Sequence, residues 1–144
     1  MLLISMFGLT KRQFLKRSKK ALQETGSQVL SLRGLMNQEY NNEITLLEAQ
    51  RRLDVLRRDV EETFSVYEKN SPPSNCLSLY QRILNGLILF FESIVTYSEY
   101  LQAKERSLPE ENLENLGKTR ENLLRYRELS LNLSREVDSY LRKN

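Results

Sequence analysis

The sequence predicts an all-α fold, an antiparallel up-down-up-down four-helix bundle with long helices. Three observations carry this expectation. Apolar residues recur three and four apart through most of the 144 residues, no stretch alternates apolar with polar as a half-buried strand does, and helix breakers fall at only three places. Those places are Asn41 and Asn42, the stretch from Asn70 to Asn75 with Pro72 and Pro73, and Ser107 to Pro109. They divide the chain into helices expected at about 11–40, 46–69, 75–106 and 109–142, one domain over 11–144 behind an apolar tail at 1–10. Short connections favour antiparallel neighbours, and at 1.5 Å per residue such helices are roughly 35–50 Å long.

In the first segment Leu15, Ser18, Leu22, Thr25, Val29, Leu32 and Met36 share one stripe, which Gly26 and Gly34 interrupt. Each Gly costs about 1 kcal/mol relative to Ala, so a kink, a fray or a split is expected there. The second helix opens with Thr45 and, three residues later, Glu48, a capping-box spacing whose hydroxyl and carboxylate satisfy free amides of the first turn. It runs through Leu46, Ala49, Leu53, Leu56, Val60, Phe64 and Tyr67 and stops before Pro72 and Pro73, which cannot continue it. The third helix, from Ser74 or Asn75, has apolar positions in excess of one stripe, so it is expected to be the most buried element. Its most apolar run, Ile83 to Phe91, contains Asn85 and Gly86 and falls far short of the roughly 20 residues that span a bilayer. Ser107, Pro109 and Glu110 announce the last helix, which carries Leu113, Leu116, Leu123, Tyr126, Leu133, Val137 and Tyr140. Arg120 and Ser130 stand where heptad spacing asks for apolar residues, so the buried face is expected to drift.

The Pro72-Pro73 pair, followed by Leu77, Tyr80, Leu84, Leu87, Phe91 and Ile94 and preceded by the helix opening at Thr45 and Glu48, resembles a diffuse group of uncharacterised prokaryotic helical proteins. In that group a helix ends near a Pro-Pro break and a long helical hairpin follows. The resemblance covers about residues 40–144 and implies a helical bundle, with no activity or site residues to carry over.

Composition narrows the chemistry. With no histidine there is no imidazole base, no His-based triad and no Glu-x-x-His di-iron motif of the kind helical bundles host. The single Cys76 has no partner for a disulfide or a zinc site, and it is expected to be a passive small residue at the start of the third helix. No catalytic residue, cofactor or metal ligand is therefore assigned, and the chain is expected not to be an enzyme. Glu92 and Glu99, seven apart, are read as rim residues pairing with Arg120 or Arg127 rather than as metal ligands. The tyrosines recur at or beside core positions, with their hydroxyls expected at the edge.

The N-terminus is the sharpest local feature. Residues 1–40 hold seven bases and two acids, a charge of +5, so the total of +3 leaves −2 for the remainder. Lys11, Arg12, Lys16, Arg17, Lys19 and Lys20 follow an apolar stretch containing Leu2, Leu3, Ile4, Met6 and Phe7. A secretory signal has the opposite order, bases first, so a cytoplasmic location is expected, with a membrane-peripheral one as the variant. In one reading the apolar residues, with Phe14 and Leu15, enter a membrane interface while the bases meet anionic headgroups. In another the same bases contact nucleic-acid phosphates, which ranks lower because no zinc-finger spacing or stacking-aromatic motif accompanies them. In the third Phe14 and Leu15 pack on the bundle and the bases are a solvated helix face, behind a frayed tail. The principal expectation is an interaction or scaffold module with an unknown protein partner. Surplus apolar residues such as Leu79, Leu89, Leu124 and Leu131 leave a homodimer open.

Overall fold

The computed structural model describes residues 8–143, and every expected helix is present. They are α1 (Lys11–Tyr40), α2 (Leu46–Glu68), α3 (Leu77–Glu105) and α4 (Pro109–Lys143), with one 3₁₀ turn at Ser74–Cys76. Sequential helices pack on one another and α4 returns to α1, which closes a four-helix bundle with no strand among the described residues. The α3–α4 contact is the most extensive. At Gly86 an added Cβ would stand in ordinary contact with Leu129 Cδ2, at 3.4 Å, and beyond it Thr96 and Thr119 share a hydrogen bond of 2.8 Å between the helices.

The α1 stripe is buried or half-buried throughout, and α1 runs unbroken through Gly26 and Gly34. Packing on either side outweighs the local glycine cost. Its N-terminus has a full capping box: Gln13 N–H donates to Thr10 Oγ1 at 3.1 Å, and Thr10 N–H donates to Gln13 Oε1 at 3.0 Å. Half of the box expected for α2 forms. Glu48 N–H donates to Thr45 Oγ1 at 3.1 Å, but the Glu48 carboxylate lies 3.5 Å from Arg51 instead of folding back on the cap.

The last connection differs from expectation. Ser107 does not cap α4; it ends α3, in the left-handed region at φ 58°. Ser107 N–H donates to the Lys104 carbonyl and Leu108 N–H to the Ala103 carbonyl, the paired bonds of a Schellman turn. Asn42, φ 57°, ends α1 in the same way, through Asn42 to Glu39 and Glu43 to Gln38. The third helix also starts later than expected, because the 3₁₀ turn takes up Ser74 to Cys76.

The core forms two stacked clusters. One joins Leu32, Leu53, Phe90, Ile94, Tyr97 and Tyr126, and the other joins Phe14, Leu15, Tyr67, Ile83, Leu133 and Val137. On α4, Thr119 rather than Arg120 faces inward and is fully buried. The expected drift does not occur: Leu116, Thr119, Leu123, Tyr126, Leu133 and Val137 keep regular three-four spacing, with a threonine pair across to α3 in place of a leucine. Leu79 belongs to the core, at 3% exposure, and Leu89 packs against it, so neither is surplus; Leu124 and Leu131 are exposed.

Candidate functional site

The basic segment forms the first two and a half turns of α1, where Phe14, Leu15 and Ser18 anchor it in the core. Phe14 and Leu15 are completely buried, which removes them from any membrane interface. Phe14 meets Tyr67 and Tyr80 with ring centroids 6.3 Å away, and Ser18 shares a 2.7 Å hydrogen bond with the Tyr67 hydroxyl. That buried phenol is held well above its ordinary value, first by burial.

With the helix fixed, its bases divide into two sets. Lys11 lies 5.0 Å above the Tyr140 ring, Arg17 donates to Asn70 Oδ1 at 3.1 Å, Lys19 pairs with Asp138 at 3.1 Å, and Lys20 approaches Glu24 at 3.9 Å. Arg12 and Lys16, one turn apart, are exposed and make no hydrogen bond or ion pair among the described residues. The contacts to Asp138 and Tyr140 bring the end of α4 alongside, and with it exposed Arg142 and Lys143. One end of the bundle is thereby basic. The opposite end gathers Glu43, Glu105, Glu110, Glu111 and Glu114 around its two turns. Leu2, Leu3, Ile4, Met6 and Phe7 lie outside the described residues. Leu9 N–H donates to the Ser71 carbonyl, and Gly8 has φ 81° with the same carbonyl 3.2 Å from where a Cβ would stand, so the chain meets the bundle beside the α2–α3 connection.

A buried carboxylate at the acidic end went unrecognised in the sequence. Glu39 is 3% exposed; it accepts from the Tyr100 hydroxyl at 2.6 Å and from the Tyr97 hydroxyl at 3.5 Å, and pairs with Lys104. Burial, then the neighbouring carboxylate, holds both phenols above their ordinary value. In helical spacing Glu39 follows Leu32 and Leu35 on the buried face, which is the signal that could have found it. Its partners lie more than fifty residues away, and only the packing of α1 on α3 joins them.

The expected pairing of Glu92 and Glu99 with Arg120 or Arg127 is not made. Arg120 lies on the α1 side of α4, in a groove with Arg33, Met36 and Asn37, whereas both glutamates are on the outward part of α3. Cys76 is buried with its thiol pushed up by that burial, against the lowering that a helix N-terminus would give an exposed one.

The outward part of α3 holds the second feature. Leu77, Leu84, Ile88, Phe91 and Val95 fall within about 40° of one line on the helix, well away from the line through its buried residues Ile83, Phe90 and Tyr97. Leu77, Ile88 and Val95 are 52%, 43% and 39% exposed, and Leu84 and Phe91 are half-buried. The surplus of apolar positions in this helix is thus a second face, and not only deeper burial. Among the described residues no helix is long and apolar enough to cross a membrane, and no group of three or more His, Cys, Asp or Glu is placed to hold a metal ion. No family model, curated protein or solved structure matches this chain.

Proposed function

We propose that this protein is a non-enzymatic interaction module, a helical bundle that holds another protein on its surface. The observation that carries the reading is the outward seam of α3. Scattered exposed apolar residues are ordinary, but Leu77, Ile88 and Val95 are exposed on one line over five turns of α3, with half-buried Leu84 and Phe91, which also pack against the core, between them, a strip of the kind that marks contact surfaces. The buried carboxylate supports the same reading, because both Glu39 oxygens are taken up by Tyr97, Tyr100 and Lys104 in a structural network. The test is a photo-cross-linking residue at Ile88, at Val95 and, as control, at exposed Glu62 on α2. Adducts with another chain at the two seam positions alone are expected; equal labelling at Glu62, or none at the seam, overturns the reading.

A second reading has its own observation. Arg12 and Lys16 are exposed at the basic end of the bundle, without an ion pair among the described residues and at the same end as Arg142 and Lys143, as docking on an anionic surface requires. Charge reversal of Arg12 and Lys16 tests it on the full chain. Salt-sensitive sedimentation with anionic vesicles that the double variant loses supports a membrane surface. Equal sedimentation of both proteins overturns it, and retention on polynucleotide alone moves the site to nucleic acid.

A further inference from the structure

We infer that the occupant of the α3 seam is a second copy of this chain, in a parallel two-fold dimer. The inference rests on the reading of the seam as a contact surface and names its partner. From Leu77 to Gln102 the outward line follows strict four-three spacing through positions 77, 81, 84, 88, 91, 95, 98 and 102. Such spacing is the seam of a helix that meets another helix by knobs into holes. Ile88 and Val95 take one heptad position and Leu77, Leu84 and Phe91 the other. A β-branched residue at the first with leucine at the second is the combination that favours two parallel strands. Gln81 and Ser98 bound the apolar centre on either side and set its register.

Charge selects the same orientation. Thr96 and Arg82 reach α4, through Thr119 and Glu136, so α4 lies on one flank of the seam; Tyr80 reaches the Glu68 carbonyl, so α2 lies on the other. Glu92 is exposed on the α4 flank, Glu99 lines grooves toward both α4 and α2, and neither makes an ion pair among the described residues. An antiparallel dimer sets this acidic flank against its own copy. A parallel one sets it against the partner's α2 flank, where Asp54, Arg57, Arg58 and Glu61 balance in charge. The strip from Leu77 to Val95 is about 27 Å long and roughly 10 Å wide, about a third of the 800 Å² per partner that a standard stable interface buries. So small an area makes the dimer weak, reversible and concentration-dependent.

Sedimentation velocity of the full chain across a wide concentration range is the test. The expected result is a monomer–dimer equilibrium whose dissociation constant rises at least about tenfold in Ile88→Glu, with helicity and melting retained, and is unchanged in Leu124→Glu, an exposed leucine on the α1 side of α4. Gln81→Cys reports orientation: parallel copies bring the two substituted positions together, so mild oxidation yields a covalent dimer that the wild-type chain, with Cys76 buried, does not form. A monomer at every concentration overturns the inference, as does a dimer indifferent to Ile88→Glu; a reversible dimer without the Gln81→Cys link overturns the parallel arrangement. A monomeric chain that still cross-links another protein from Ile88 removes the second copy while the contact-surface reading stands. A monomer with no adduct at the seam removes both.

Discussion

Glu39 exchanges hydration for two phenol hydroxyls and one ammonium, and its substitution tests how far that exchange holds the acidic end together. Glu39→Ala leaves Tyr97 and Tyr100 without an acceptor and is expected to cost about 1–3 kcal/mol, read as a fall in the urea midpoint. Lys104→Met is expected to cost at least as much, because it leaves the Glu39 carboxylate, 3% exposed, without its counter-ion. A neutral Glu39→Ala would show that the cluster contributes nothing. The tyrosines make a pH prediction with a definite sign. Tyr67, Tyr97, Tyr100 and Tyr126 all sit above the ordinary phenol value of 10.0, first through burial, with Tyr126 pushed up to about 12. Below about pH 10 folded and unfolded chains keep the same phenol protons. Above it the unfolded chain releases them first, so stability is full below about pH 10 and is lost as pH rises toward the folded values. Urea midpoints followed into the alkaline range, with phenolate absorbance alongside, check this: these four phenols are expected to ionise with unfolding and not ahead of it.

At the scale of elements, helix ends and glycines carry separate effects. Ser107 adopts φ 58° where an L side chain is disfavoured, and Ser107→Gly is expected to stabilise by about 0.5–1 kcal/mol by relieving that conformation. Gly26 and Gly34 have nothing within 4 Å of an added Cβ, so Gly26→Ala and Gly34→Ala are each expected to raise stability by about 0.5–1 kcal/mol. Thermal melts of the three variants decide, and a loss of stability in either glycine variant would mean that α1 needs its flexibility at that point. The four helices themselves were legible because three-four periodicity and the breakers at Asn41, Pro72 and Ser107 are local signals. Ser107 was legible as a boundary but not as the end of α3, since serine is favoured at helix N-caps and seldom serves as the left-handed residue.

For the whole molecule, the two stacked clusters make residues 11–20 part of the fold as well as its basic face. A chain beginning at Ala21 loses Phe14, Leu15 and the Ser18–Tyr67 hydrogen bond. Removal of one buried aromatic costs about 3–5 kcal/mol, a large share of the 5–15 kcal/mol that keeps a domain folded. The truncated chain is expected to lose cooperative unfolding in a circular-dichroism melt, whereas reversal of Arg12 and Lys16, both exposed, is expected to leave the melt in place. A parallel dimer would also present two basic ends to the same side, so any anionic surface would meet both together and bind with a gain from avidity.

The sequence by itself determined the helices, their order, the absence of imidazole chemistry and the positive charge of the first segment, because periodicity, breakers and composition act within a few residues. Tertiary structure decided the rest, because each remaining feature joins residues far apart in the chain. It decided that Lys11, Arg17, Lys19 and Lys20 are engaged while Arg12 and Lys16 have no ion pair among the described residues, that Glu39 is buried against α3, and that Glu92 and Glu99 face away from Arg120. It also decided which of the two apolar faces of α3 enters the core, since a helix with two such faces does not specify locally which one its neighbours will cover.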